Sequence, residues 1–221
     1  MKYDDVMKLA LERGFYFPSC EIYSDAQAGF WEYGPAGVSL KNKFLELWRR
    51  ELLRRDKMIE IDGSQIMSSS VFEASGHLTS FADPIVRCTK CKSTHRADRI
   101  ISELAKIEIP ESADLEEFDK VITEKNIKCP KCNGNFENTK KFNMMFQVGI
   151  GPEGEPAYLR PETCQSIFVD FPRLFKTMRG KLPLGIAQTG KSFRNEIAPR
   201  QSLLRLREFY QAEIEVFCNP A

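Results

Sequence analysis

The sequence predicts an α+β fold, in which an antiparallel sheet is flanked by helices and interrupted by a small cysteine-bearing insertion. Three observations carry this reading. Helix-period patterns open the chain at 4–13 and 35–57. From Cys88 to Cys132 the composition turns dense in Lys, Glu and Asp, with C-x-x-C pairs at both ends. After residue 140 the pattern changes to two-residue alternation broken by glycine and proline turns, the mark of neighbouring strands.

Asp4 and Asp5 supply N-cap chemistry for the first helix, Val6, Leu9 and Ala10 form its apolar side, and Gly14 ends it. The second begins at Pro35, a residue suited to a first helical turn. Its apolar set Val38, Leu40, Phe44, Leu45, Leu47, Trp48 and Leu52 spans a broad arc. Such an arc fits a helix gripped on two sides, by its own domain and by a partner subunit. Ile59–Ile61 alternates like a strand. The insertion carries amphipathic stretches around 100–107 and 115–127. Beyond it, 142–148 reads as a strand, 149–154 as a turn and 157–160 as the returning strand of a hairpin. Residues 163–178 read as a helix that Pro172 should kink or split. Strands at 185–196 and 205–217, joined by a loop through 198–201, complete the order. The expected division is 1–87, the insertion 88–132, and 133–221.

Hydrophobic residues make up 42% of the 221 residues, enough for a sizeable core, so a disordered chain is excluded. Lys+Arg number 32 against 31 Asp+Glu, a net charge of +1. Any nucleic-acid contact must therefore be local. No apolar run approaches the ~18 residues of a membrane span. The start, Met1-Lys2-Tyr3-Asp4-Asp5, lacks the layout of a signal peptide. The expectation is a cytoplasmic protein with no membrane partner.

Of the seven cysteines, Cys88 with Cys91 and Cys129 with Cys132 form paired C-x-x-C turns. Each can hold one edge of a tetrahedron, so the four thiolates suit a structural Zn2+ ion with no open coordination position. A redox dithiol pair is the competing reading. His95 is a weaker fifth candidate, expected at the surface, and Cys20, Cys164 and Cys218 read as small buried side chains.

Gly185-Ile186-Ala187-Gln188-Thr189-Gly190-Lys191-Ser192 matches the phosphate-loop pattern G-x-x-x-x-G-K-[ST]. A working phosphate loop follows a buried strand and opens a helix. Here Pro183 precedes it and Pro199 follows within two turns, so the match is read as fortuitous.

The most informative segment is 205–217. Its even positions Leu206, Glu208, Tyr210, Ala212, Ile214 and Val216 are mostly apolar, and its odd positions Arg205, Arg207, Phe209, Gln211, Glu213 and Glu215 mostly charged. Alternation of this kind predicts a strand with the even side turned to the core. Along the polar side the charge changes from arginine to glutamate, with an aromatic ring between. Cations can meet a polyphosphate, the ring a base, and the carboxylates an ammonium group.

Phe193-Arg194-Asn195-Glu196, a loop, and then Arg205-Leu206-Arg207-Glu208-Phe209 resemble motif 2 of the class II aminoacyl-tRNA synthetases. The fuller string 193–217 resembles the glycyl members of the archaeal, eukaryotic and α2 bacterial type. So do Glu73-Ala74-Ser75-Gly76-His77, Phe81-Ala82-Asp83-Pro84, His95-Arg96-Ala97-Asp98 and Tyr158-Leu159-Arg160-Pro161-Glu162-Thr163. The resemblance covers nearly the whole chain. It implies a class II antiparallel sheet and a glycine–tRNA ligase that uses ATP and Mg2+, charges tRNA-Gly and forms a homodimer. By the same resemblance Arg194 meets the α-phosphate and the glycine carboxylate, and Glu196 the adenine amino group, as the catalytic pair. Arg194, Asn195, Glu196, Leu204, Arg205, Leu206, Arg207, Glu208 and Phe209 line ATP, with adenine stacked on Phe209. Arg96, Glu162, Phe209, Gln211 and Glu213 line glycine, Glu162 and Glu213 binding its ammonium.

Two departures stand out. The proline that usually ends motif 1 is replaced in Ser68-Ser69-Ser70, at Ser69. Motif 3 and an anticodon-binding domain are missing, so the expectation is the N-terminal portion of a longer enzyme, nearly inactive alone. The alternatives are a non-enzymatic zinc module for nucleic acid, or a phosphate-loop NTPase through 185–192.

Overall fold

The computed structural model describes residues 2–110, 112–199 and 202–220. In chain order the elements are α1 (Tyr3–Glu12), β1 (Tyr16–Pro18), β2 (Trp31–Tyr33), α2 (Pro35–Trp48), β3 (Ile59–Ile61), β4 (Ile66–Ser68), α3 (Ser69–Ala74), α4 (His77–Ser80), β5 (Ala82–Arg87) and β6 (Thr94–Arg96). Then follow α5 (Ala97–Ala105), α6 (Leu115–Glu124), β7 (Lys140–Asn143), β8 (Phe146–Ile150), β9 (Glu155–Leu159), α7 (Cys164–Thr177), β10 (Leu184–Phe193) and β11 (Glu208–Phe217). Helix α2 runs on through Arg49–Arg54 with the wider π winding. Arg200 and Gln201 of the expected 198–201 loop lie outside the described residues.

The chain forms two compact units. The first comprises residues 1–68, 146–194 and 199–221, and the second 69–145 and 195–198. The expected insertion, 88–132, falls within the second.

In the first unit β10 is central, antiparallel to β11 and parallel to β3. A separate sheet runs β4-β9-β8, with β8 and β9 making the expected hairpin. Helix α7 packs on the β10–β11 layer. Ile167, Leu184 and Ile186 form the buried centre, with Phe171, Leu174, Phe175 and Phe217 around them. The Phe171 and Phe217 rings stack at 3.9 Å. Helix α7 does not split at Pro172. The missing N–H frees the carbonyl of residue 168, on the solvent side where Phe168 and Val169 stand exposed, and water can satisfy it there.

In the second unit β5 pairs with β6 and β7. Its core joins Val86 of β5, Ala97, Ile100 and Ile101 of α5 and Phe118 of α6 with Ile109 and Ile127 from the segments beside α6. The strand expected at 142–148 is broken: β7 ends at Asn143, whose side-chain oxygen accepts from the Met145 amide at 2.8 Å, and β8 starts at Phe146.

One expectation is reversed. On β11 every odd position is half-buried, while of the even positions Glu208 and Ile214 are half-buried and Tyr210, Ala212 and Val216 are exposed. Helix α7 covers the odd side, through Phe217 at one end and Glu213 at the other. Alternation marks two faces, but the covered face is decided by where the helix packs.

Candidate active site and metal centre

The phosphate-loop match lies along β10, extended from Leu184 to Phe193 with every residue paired to β11. It opens no helix, as expected. Its glycine has another purpose. Ile186, Gln188, Gly190 and Ser192 stand opposite Glu215, Glu213, Gln211 and Phe209, so all share the face that α7 covers. A Cβ at Gly190 would come within 2.2 Å of Arg160 Nη2.

Arg160 is 1% exposed. It donates from Nε to the Lys191 carbonyl at 2.9 Å and from Nη1 to the Gly63 carbonyl at 2.9 Å. In the amide orientation that satisfies both groups, Gln188 accepts from Arg160 Nη1 and from the Gly63 amide. Burial lowers the Arg160 pKa, and Asp62 and Glu213 oppose that effect. The pinned guanidinium cannot swing aside. Gly190→Ala is therefore expected to cost about 2–4 kcal/mol, read as a lower urea midpoint; an unchanged midpoint would show that Arg160 can relocate.

At the end of β10 the chain delivers Arg194. Its Nε donates to the Pro161 carbonyl at 3.1 Å, its guanidinium lies 5.4 Å from the Phe209 ring centre, and its Nη2 is 4.0 Å from Glu162 Oε2. At the start of α7 the Thr163 amide and hydroxyl both donate to Glu213 Oε2, at 3.1 and 2.6 Å. A helix N-terminus favours such an anion. Gln165 Nε2 donates to Glu162 Oε1 at 2.7 Å, and the Cys164 thiol reaches the same oxygen at 3.3 Å. Ser192 donates to Gln211 Oε1 at 3.2 Å. One face thus presents a guanidinium, an aromatic ring and the carboxylates Glu162, Glu213 and Glu215.

Burial, then Glu213 and Glu162, push the Glu215 carboxyl above the usual range. A carboxyl raised in the folded state binds its proton more readily there than in the unfolded chain. Its ionised form therefore weakens folding at neutral pH, and the penalty fades as pH falls through the folded pKa. Glu215→Gln is expected to raise Tm by about 1 °C near neutral pH and by less toward pH ~4; a lower Tm at neutral pH would contradict this.

The structure brings together Arg194, Phe209, Gln211, Glu162 and Glu213. Glu208 stands apart from them, on the other side of β11, where it pairs with Lys191. Arg207 donates to the Ala28 carbonyl at 2.7 Å. Leu204 is 74% exposed, Leu206 is buried, and Arg205 is half-buried between them. Asn195 and Glu196 belong to the second unit, where the Asn195 amide bonds to the Met144 carbonyl at 2.8 Å and Glu196 is half-buried. In that unit Arg96 is buried, donating to Asp98 at 3.0 and 2.7 Å and to Asp83 at 3.1 Å. Arg160, Gln188 and Gly190 escaped the sequence reading. For Gln188 and Gly190 the signal was the polar alternation of β10 itself, hidden by the phosphate-loop match.

The four cysteines form a second centre. Their Sγ atoms all lie within 4.8 Å of one another. Cys88 to Cys132 is 3.4 Å and Cys91 to Cys129 is 3.7 Å. Bonds of ~2.3 Å in a tetrahedron set sulfur pairs ~3.8 Å apart. The two turns are built alike. Lys92 and Asn133, each four residues after the first cysteine, have φ of 58° and 59° and donate their amides to the carbonyls of Cys88 and Cys129. A Cβ at Gly134 would fall 2.9 Å from Cys88 Sγ, so this turn needs glycine. Hydrogen bonding by Ser93 pulls the Cys91 thiol down to about 6, while burial pushes Cys132 up to about 11. His95 is half-buried rather than on the surface, its Nε2 2.8 Å from Ser93 Oγ and 3.8 Å from Cys129 Sγ. Cys20 and Cys218 are exposed, not buried as expected, and Cys164 is intermediate.

Residues 116–221 match the family described as the tRNA synthetase class II core domain (G, H, P, S and T). The chain is 46% identical over 220 residues to a glycine–tRNA ligase of Methanothrix thermoacetophila. The chain carries the class II tRNA synthetase core domain over residues 116–221. Other proteins similar to the chain include glycine–tRNA ligases of Methanocaldococcus jannaschii, at 46% identity, and Pyrococcus furiosus, at 48%. In all three the match takes in 99% of this chain and 38% of the relative. The fold is similar to that of a solved threonyl-tRNA synthetase RNA-binding domain from Cryptosporidium parvum, with a TM-score of 0.56 at 20% identity over 96% of this chain and 36% of that one. It is also similar to a prolyl-tRNA synthetase from the same organism, with a TM-score of 0.55 at 11% identity over 97% of this chain and 29% of that one.

Proposed function

We propose that this chain supplies the glycine- and ATP-binding face of a glycine–tRNA ligase. The observation that carries the reading is the placement of Arg194, Phe209, Glu162 and Glu213 on one covered face. The identity to archaeal glycine–tRNA ligases supports the choice of amino acid. In the proposed reaction a glycine carboxylate oxygen attacks the α-phosphorus of ATP, glycyl-adenylate forms and pyrophosphate leaves. Arg194 steadies the charge that builds on the α-phosphate oxygens. Adenine stacks on Phe209 and its amino group meets Glu196. Arg205 and Arg207, with the loop before them, follow the triphosphate as its cations, and Mg2+ screens the phosphates; Glu208, turned to the other side of β11, is left out of the ATP-lining set. Glu162 and Glu213 hold the ammonium. Glycine's carboxylate is already ionised, so positioning and electrostatics dominate over proton transfer. The assignment of Arg96 to glycine rests on the resemblance alone.

The four-cysteine geometry supports a structural Zn2+ ion in the second unit. A homodimer is supported by an open groove of about 740 Å³. It is lined by α1, α2 and β11, where Leu40, Phe44 and Tyr210 are 59%, 60% and 41% exposed. Transfer to tRNA-Gly is assigned to a whole polypeptide of the relatives' length, which would add a C-terminal portion. Among the described residues no helix is long and apolar enough to cross a membrane, which supports the cytoplasmic reading.

The test is a thermal-shift series with glycine, ATP and 5′-O-(glycylsulfamoyl)adenosine. The adenylate mimic should raise Tm most. Tight RNA binding with no response to any of the three would favour the non-enzymatic zinc module instead.

A further inference from the structure

We propose that Gln165 is a positioning residue that aims Glu162 at the amino group of the substrate. This rests on the reading of Glu162 as an ammonium ligand. Gln165 lies in the first turn of α7, three residues after Glu162, and is 5% exposed. Its Nε2 donates to Glu162 Oε1 at 2.7 Å. The Cys164 thiol is a weaker second donor to the same oxygen. With Oε1 held on the helix side, Oε2 is the oxygen that comes within 4.0 Å of Arg194 Nη2.

The other end of the amide shows which contact sets its orientation. Among the described residues, Gln165 Oε1 is the buried side-chain polar atom without a hydrogen-bond partner. Such an atom is costly and needs an explanation. Turning the amide over would point its oxygen at the Glu162 carboxylate and lose a charge-assisted bond. The N–H2 group is held toward Glu162 at the expense of its own oxygen. A glutamine that merely filled space would have no such preference. The bond also offsets crowding, since Glu215 is a second carboxyl close enough to Glu162 to feel its charge.

The experiment compares Kd for 5′-O-(glycylsulfamoyl)adenosine with Kd for its acetylsulfamoyl analogue, which lacks only the amine. It uses the wild-type chain, Gln165→Leu and Gln165→Met. Wild type should prefer the glycyl compound. Both variants should lose about tenfold of that preference through weaker glycyl binding, with acetyl binding unchanged. Gln165→Met keeps the side-chain length and brings neither a donor nor a charge, so it separates loss of the donor from a packing defect. Preference intact in either variant, or parallel loss of both compounds, would overturn the inference. If wild type shows no preference, the ammonium reading of Glu162 itself fails, and the two failures are thereby told apart.

Discussion

Cys129→Ser is expected to unfold the second unit while leaving the first intact. Four thiols within 4.8 Å repel once ionised and gain little when protonated, so in the proposed zinc site their bond energy would come from the metal. Structural zinc sites contribute roughly 10–16 kcal/mol in small domains. The core here is small, built on Val86, Phe118, Ile127 and a few neighbours, and a core of that size rarely supplies more than ~3–5 kcal/mol. The bridge from Cys88 to Phe136 ties the knuckle to that core, so loss of the ion should spread into α5 and α6. Hydrogen exchange followed by mass spectrometry should show loss of protection in residues 97–105 and 115–124. Fluorescence offers an internal control, because Trp31 and Trp48 both belong to the first unit and their emission should hold. Chelation should reproduce the effect, and the exposed Cys218→Ser should not. Full protection after the metal has been stripped would refute the structural role.

Arg194→Ala is expected to weaken binding of the glycyl-adenylate mimic by about 10²–10³-fold. The guanidinium is fixed by the Pro161 carbonyl beneath it and the Phe209 ring beside it. It can meet an oxyanion without first being ordered, and its removal leaves Glu162 facing the ligand's phosphate without a screening cation. Arg194→Lys should recover little, because an ammonium can neither stack on the ring nor present a fork. Lys191→Ala is the informative comparison: its side chain pairs with Glu208 on the far side of the sheet, so it should leave mimic binding near wild type. Were Lys191→Ala the damaging change, the phosphate-loop reading of 185–192 would be restored.

The elements most legible in the sequence were those set by local chemistry. Pro35 starts α2, the glycines at 149–154 turn the β8–β9 hairpin, and the spacing of the cysteines brings them to one point. Polar alternation along 205–217 correctly marked a strand with a polar face carrying Phe209, Gln211 and Glu213. Which side of that strand is covered was beyond it. Phe217 and Glu213 lie under α7, and only the tertiary arrangement determines that. Arg160 was invisible for a related reason. An arginine in a strand-to-helix turn reads as a surface residue unless its partners are known, and these are carbonyls near residues 63 and 191.

The pairing of β3 with β10 joins Ile59 to Ile186 across residues 69–145, the main stretch of the second unit. During synthesis β3 must wait for its partner strand while the intervening chain leaves the ribosome. The entropy of closing that gap depends on how much of it is still loose. An insert that has already compacted around its four thiols shortens the free tether, so early metal capture would speed the zipping of β3 onto β10. Metal supply during synthesis would then set the pace at which this layer closes.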